Sequence, residues 1–460
     1  MRNRACFAAA LLLSVCLSGS KATAAEDALS GQINRTFTAL ADDKSPGLAV
    51  LVRKDGRAAF ERGYGVRDLR SLAKIDPETN FRLASCSKQF TAMSIMLLVH
   101  DGKLRYEDKL TDVFPDFPAY GKAITIRNLL NHTSGLPDYE DLMAAAEKRN
   151  DAPIWTGTHQ IQDAEVLDLL KQEKAGKFTP ATQWSYSNSG YVLLGLVVAK
   201  ISGKPFREFL RERILAPLKM SQTVAYQKGQ NEVSNRAYGH SKEANAWKET
   251  DQSPTSATLG DGGIYSSLAD LAKWDEALAQ HTLLSEKEMQ PALTPAQLTT
   301  GAQPQWPANS DRPQGTPASY GFGWFLDPYR NHARTWHYGD TIGFHTNIQR
   351  FSADHLTIII LCNRTDLDPE SLASKVADTY LNAAPRKLGQ LIPIPPVSPA
   401  LSSSPARPSL HTASSSAASA CTASKPDSLP ALKSRCRSQS ASAASRQSRC
   451  GRAAPGSSSS

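Results

Sequence analysis

The sequence predicts an α+β fold: one antiparallel sheet built from N- and C-terminal segments, flanked by helices, with a mostly helical subdomain inserted between the two halves. Three observations carry this expectation. Residues 47–66, GLAVLVRKDGRAAFERGYGV, form two apolar runs around Lys54-Asp55-Gly56, and Asp-Gly is a tight hairpin-turn signal. Comparable β-type runs return only near the other end, at YGFGWFLD (320–327), ARTWHYG (333–339), GFHTNIQRF (343–351) and LTIIILCNR (356–364). Between them, from about 116 to 255, helical spacing and loops dominate.

In chain order, residues 1–25 come first. Arg2 and Arg4 precede an apolar run, and Ala22-Thr23-Ala24 has the small-x-small form of a cleavage site. The segment therefore reads as an export signal, which places the mature chain in the periplasm or outside the cell. The apolar run is too short to span a bilayer, so no transmembrane segment is expected. Leu13-Ser14-Val15-Cys16 loosely resembles a lipid-attachment box, but Val15 is bulkier than the small residue usual there, which disfavours an anchor at Cys16.

Residues 26–390 form the expected folded body. After the hairpin, FRLASCSKQF runs into TAMSIMLLVHDG, where Phe90, Met93 and Leu97 recur at helical spacing and Gly102 supplies a stop. TIRNLLNHTSGLPDY (125–139) is a helical run closed by a Ser-Gly-Leu-Pro turn. YVLLGLVVAKISG (191–203) is an apolar helix ending at Gly203, and FREFLRERIL (206–215) is amphipathic. In the late strand region Ser352-Ala353-Asp354-His355 makes the last turn, and ESLASKVADTYL (370–381) reads as a closing helix. Residues 391–460 turn to Pro, then Ser, Ala and Arg, a composition that cannot bury enough apolar surface to fold; a disordered tail is predicted.

The formal charge of +8 invites a nucleic-acid reading, but its location excludes it. From Ser398 onward eight Lys/Arg face the single acid Asp427, the first 25 residues add three more cations, and Glu26–Val397 is left at −2. Of seven cysteines only Cys86 and Cys362 lie in the body, too few for a disulfide scaffold, and two small buried thiols are expected rather than a bond. His332, His337, His345 and His355 cluster in sequence without ligand-type carboxylate spacing, so neither a metal nor another cofactor is expected.

Ser-x-x-Lys occurs three times, and only Ser85–Lys88 opens an amphipathic helix. There, residues i and i+3 share a face, so the Lys88 amine can sit beside the Ser85 hydroxyl. The first amides of a helix lack intrahelical partners, which leaves the Ser85 N–H free to donate to a developing oxyanion. A serine hydroxyl becomes nucleophilic when a neighbouring base takes its proton, and a desolvated lysine can be that base. Tyr186 and Asn188, in Trp184-Ser185-Tyr186-Ser187-Asn188, sit on a polar loop before an apolar helix; there they either hold a phenol and an amide at a cleft or cap the helix. Phenol and amine have similar ordinary pKa values, so Lys88, Tyr186 or the two together could be the base. His337-Tyr338-Gly339 ends a strand: His337 can line a cleft, Gly339 permits close backbone approach, and the Asp340 N–H is a second oxyanion donor.

The order SCSK, YSN, HYG resembles the class C β-lactamase / D-alanyl-D-alanine carboxypeptidase family of serine hydrolases. The blocks ITIRNLLNHTSGLPDY, GDGGIYSSLADLAKW and HYGDTIGFHTNIQRF agree in the same order, so the resemblance covers roughly residues 30–385. It implies an acyl-enzyme on Ser85, proton shuttling by Lys88 and Tyr186, and substrate contacts from Asn188, His337 and Gly339, on a small-molecule or peptidoglycan-type peptide. Family β-lactamases typically carry lysine where His337 stands, which inclines the expectation toward D-amino-acid peptidases and esterases over true β-lactamases. A penicillin-recognising protein that acylates without turnover is the alternative. Asp340 stands where glycine is frequent; pointing inward, its carboxylate would disfavour anionic substrates.

Overall fold

A computed structural model describes residues 27–307 and 314–381. The expected export signal, the Cys16 anchor and the 391–460 tail lie outside these residues. Among them no helix is long and apolar enough to cross a membrane.

Helix α1 (27–38) leads into the expected hairpin of β1 (Leu48–Lys54) and β2 (Arg57–Tyr64), with Asp55 and Gly56 both at positive φ in the turn. A short ribbon, β3 (Val66–Asp68) and β4 (Ala73–Lys74), precedes β5 (Phe81–Arg82), a 3-10 turn over Ala84–Ser87 and α2 (Lys88–His100). The helical region holds α3 (Leu110–Val113), α4 (Ile126–Leu130), α5 (Tyr139–Asn150), α6 (Asp163–Gln172), α7 (Asn188–Ser202) and α8 (Phe206–Leu210). It also contains strands the sequence reading did not foresee, β6 (Val224–Ala225) and the hairpin β7 (His240–Glu243) with β8 (Ala246–Glu249). These are two to four residues long, too short for an alternating pattern to register. Then follow β9 (Ile264–Ser266), α9 (Leu268–Ala279), α10 (Glu286–Met289), β10 (Phe325–Tyr329), β11 (His332–Thr341), β12 (Phe344–Phe351), β13 (Leu356–Cys362) and α11 (Pro369–Leu381).

The main sheet has the order β10-β11-β12-β13-β1-β2, antiparallel throughout, so the first hairpin closes against the last strand as expected. Side chains alternate between faces along a strand. Leu48, Val50, Val52, Ile358 and Ile360 pack with Ile33 and Phe37 of α1 and Leu372 and Val376 of α11. Ala49, Leu51, Ile359 and Leu361 face the larger core around α2, α4 and α7. Burial on both faces explains why β1 and β13 read as unbroken apolar runs rather than alternating ones.

Two buried polar devices fix this frame. Asp275 of α9 accepts from Arg53 (3.0 Å), Arg350 (2.7 Å) and Thr357 (2.8 Å), clamping the helix to β1, β12 and the start of β13. Asn363, fully buried just past β13, accepts from the Gly47 N–H at 2.7 Å and donates to the carbonyls of Val66 (3.1 Å) and Tyr238 (3.0 Å). Asn363→Ala leaves one donor and two acceptors without partners, and an orphaned buried group costs about 1–3 kcal/mol. A loss of about 3 kcal/mol in urea unfolding, with unchanged m-value, is the expected result.

Candidate active site

Burial singles out Ser85, the expected nucleophile. From Phe81 to Leu98 every residue is buried except Ser85, which is partly exposed. Helix α2 is thus enclosed on all sides, not amphipathic as its spacing suggested. The pairing of β5 with β9 holds the turn from below, and Ser87 contributes by accepting the Ile264 N–H at 3.1 Å. Ala84, immediately before Ser85, has φ +47, a left-handed conformation that alanine rarely adopts and that marks stored strain. From above, β11 lies directly on the turn. A Cβ added at Gly339 would stand 2.1 Å from the Leu83 carbonyl oxygen and 3.1 Å from the Ser85 nitrogen. The close approach expected here of substrate is made by the protein's own backbone.

The Lys88 side chain is fully buried, and its Nζ has three partners: Ser85 Oγ at 3.0 Å, Asn188 Oδ1 at 2.9 Å and the Asp261 carbonyl at 2.9 Å. The last two can only accept. A neutral amine therefore spends its two N–H bonds on them and turns its lone pair to the Ser85 hydroxyl. Burial pushes the Lys88 pKa down to about 8, against the opposing pull of Asp261, Asp138 and Glu140. Asn188 is the first residue of α7, and the Ser187 hydroxyl caps that helix by accepting from Gly190 at 3.3 Å. The loop before α7 thus both caps a helix and delivers polar groups, so neither reading of it excludes the other.

Tyr186 stands beside this pair, its ring centroid 5.0 Å from Lys88 Nζ. Its hydroxyl is buried without a hydrogen-bond partner; Ser85 is near enough to favour the ionised phenol, but no bond is formed. Burial holds the Tyr186 pKa well above 10.

His337 is fully buried, and both ring nitrogens are engaged: Nδ1 with the Tyr338 carbonyl at 2.6 Å and Nε2 with the Tyr320 hydroxyl at 3.0 Å. A carbonyl can only accept, so Nδ1 carries the proton and Nε2 accepts from Tyr320. Burial and the Lys88 charge push the His337 pKa down to about 3, so the ring is neutral. Strand β10 pairs with β11 only up to Trp336, so His337–Thr341 runs on past the last pair. The Asp340 carboxylate points to solvent, 55% exposed, with His345 Nε2 at 3.9 Å.

Asp261, His132 and Tyr320 escaped the sequence reading. Asp261 acts here through its backbone carbonyl, which no residue pattern reveals. His132 and Tyr320 lie in segments whose helix and strand character drew attention instead. Cys86 directs its thiol at the His337 carbonyl (3.4 Å), and both Cys86 and Cys362 are free and buried.

The Beta-lactamase family profile matches residues 33–381. The chain is 31% identical over 350 residues to Penicillin-binding protein 4* of Bacillus subtilis (strain 168), across 73% of this chain and 72% of that one. Among solved structures it is similar to the octameric penicillin-binding protein homologue from Pyrococcus abyssi, with TM-score 0.63 and 24% identity over 76% of this chain and 77% of that one. It is also similar to D-amino acid amidase from Ochrobactrum anthropi SV3, with TM-score 0.60 and 26% identity over 76% and 98% of the two chains. The fold is that of the β-lactamase and transpeptidase serine hydrolases. The chain belongs to the Beta-lactamase family.

Two outcomes are expected of this site. Gly339→Ala forces β11 off the Leu83 carbonyl and lowers hydrolytic activity at least about tenfold, since displacing reacting groups by about 1 Å can cost 10²-fold. In the folded chain iodoacetamide leaves Cys86 and Cys362 unmodified, because burial raises both thiol pKa values, and peptide mapping after denaturation finds both alkylated.

Proposed function

We propose that this chain is an exported serine hydrolase that forms an acyl-enzyme on Ser85 and cleaves an amide or ester, such as a D-amino-acid amide or peptide or a small ester. The observation that carries the reading is the Lys88 amine, 3.0 Å from Ser85 Oγ with its other partners both acceptors. Lys88 takes the Ser85 proton as Oγ bonds to the substrate carbonyl carbon. The backbone N–H groups of Ser85 and Asp340 stabilise the oxyanion. The proton passes to the departing amine or alkoxide, and water then releases the acid from Ser85. Of the candidate bases the geometry favours Lys88: its pKa is lowered to about 8, whereas that of Tyr186 is raised. Tyr186, with a protonated and unbonded hydroxyl, suits delivery of the proton to the leaving group.

Burial of a neutral His337 removes the fixed cation that would recognise a substrate carboxylate there, which supports amides and neutral esters over penicillins and carboxypeptidase substrates. The name of the Bacillus subtilis relative keeps the second reading, acylation by penicillin without turnover, in play. A parallel screen of p-nitrophenyl acetate, a D-amino-acid amide, a D-Ala-D-Ala peptide and nitrocefin separates these. Turnover of the first two is expected; persistent fluorescent-penicillin label without any turnover would establish the second reading instead.

Ser85→Ala lowers kcat by at least about 10³-fold, and an enzyme that keeps its activity toward a small ester would remove Ser85 from the mechanism. Because the base must be unprotonated, kcat/KM rises with pH through a midpoint near 8, the Lys88 value, and Lys88→Arg abolishes that limb since guanidinium stays charged. A profile already flat at pH 6 would exclude Lys88 as the base.

A further inference from the structure

We propose that His132 is the positioning residue for Tyr186: its imidazole and its backbone carbonyl grip the amides on either side of that tyrosine and hold the phenol over Ser85. The inference rests on the proposed Ser85–Lys88–Tyr186 chemistry but comes from contacts that chemistry does not use.

His132 is 1% exposed and follows α4 and the helix cap Asn131, with φ +62. Its carbonyl accepts the Ser185 N–H at 3.0 Å, and its Nδ1 accepts the Ser187 N–H at 3.1 Å. These are the residues directly before and after Tyr186. The ring covers Tyr186 as well, with centroids 4.3 Å apart and planes tilted by 36°. Thus one residue fixes the backbone of Tyr186 at both ends and its ring from one face.

The same imidazole lies 4.5 Å from the ring of Tyr320, whose hydroxyl donates to His337. The Tyr186 loop is thereby tied to the strand that presses on the nucleophile turn. Because Nδ1 accepts, the ring must be neutral with its proton on Nε2. Burial and the nearby Lys88 charge enforce this by holding the His132 pKa well below 6.5. The Nε2 atom has no hydrogen-bond partner, an uncompensated buried donor. Together with the positive φ it is a cost that the fold carries at this position, and such costs concentrate where geometry serves a site.

Two variants separate the acceptor from the ring. His132→Phe keeps a ring and removes the acceptor. His132→Asn loses the ring, places an acceptor close to the Nδ1 position and suits a positive φ. Hydrogen exchange read on the 184–188 segment tests the grip without reference to activity. In His132→Phe the exchange is expected to quicken at least about tenfold, with His132→Asn close to wild type. Unchanged exchange in His132→Phe, or exchange in His132→Asn as fast as in Ser187→Pro, overturns the grip; the Asn arm decides if the Phe variant does not fold.

Kinetics then test whether the grip acts through Tyr186. His132→Phe should lower kcat/KM about 10–100-fold, mostly in kcat, but less than about threefold when introduced into Tyr186→Phe, because coupled residues are not additive. Equal losses in the two backgrounds would assign His132 to general folding and overturn the positioning role. A Tyr186→Phe enzyme as active as wild type would do the same for the kinetic link, while leaving Ser85→Ala to judge the serine mechanism separately.

Discussion

The amine of Lys88 is taken wholly out of water, and the arrangement of the molecule around it follows from satisfying that one group. Moving its pKa from 10.5 to about 8 corresponds to about 3 kcal/mol against the charged form. The folded value lies below the unfolded one, so below pH 8 the fold carries this cost in full. It is relieved as pH rises from about 8 to 10.5, and stability from this group increases over that window. The three partners that make the burial tolerable come from three parts of the chain, Ser85, Asn188 and Asp261. Strand pairing of β5 with β9, the N-terminus of α7 and the start of α2 must all meet at one nitrogen.

That requirement accounts for features that look unfavourable in isolation. Ala84 accepts a left-handed backbone, Gly339 gives up a side chain so that β11 can rest on Leu83, and a Cβ added at Gly323, which lies at positive φ, would stand 3.0 Å from the Lys88 carbonyl oxygen. Each brings backbone closer to the turn than a side chain would allow. The counterweight is the large two-sided core, where the alternation of β1 and β13 buries apolar residues against helices on both faces.

Much of the frame was legible in the sequence because it is written in period and punctuation. The Asp-Gly hairpin, the unbroken apolar runs of β1 and β13, and Gly203 ending α7 each have a local physical cause. Where the reading stopped, the cause is a backbone turn or a partner inside the fold. YGFGWFLD looked like one strand, yet β10 begins only at Phe325 because Gly323, at φ +78, turns the chain first. The spacing of Phe90, Met93 and Leu97 made helix α2 look amphipathic, but its polar Gln89, Thr91 and Ser94 each find a partner inside: Cys86 O at 2.8 Å, Gly260 O at 2.6 Å and Phe90 O at 2.8 Å. In the site, the side chains proposed to do chemistry could be nominated by type and spacing. A backbone carbonyl such as that of Asp261, or a histidine whose role is to hold a loop, has no spacing to betray it.

The two buried histidines show why residue type alone misleads here. An exposed imidazole near neutral pH is a partial cation, a weaker partner for a substrate carboxylate than the lysine that family β-lactamases carry in place of His337. Burial changes the physics for both His132 and His337: desolvation disfavours the charged ring, the Lys88 charge adds to that, and each stays neutral. A neutral imidazole offers one donor and one acceptor, and in His337 the two are spent on Tyr338 and Tyr320. Burial therefore sets the protonation of both rings, and the charge of Lys88 reinforces it. The site keeps a buried amine beside two neutral imidazoles, and in the proposed mechanism that amine is where the Ser85 proton goes.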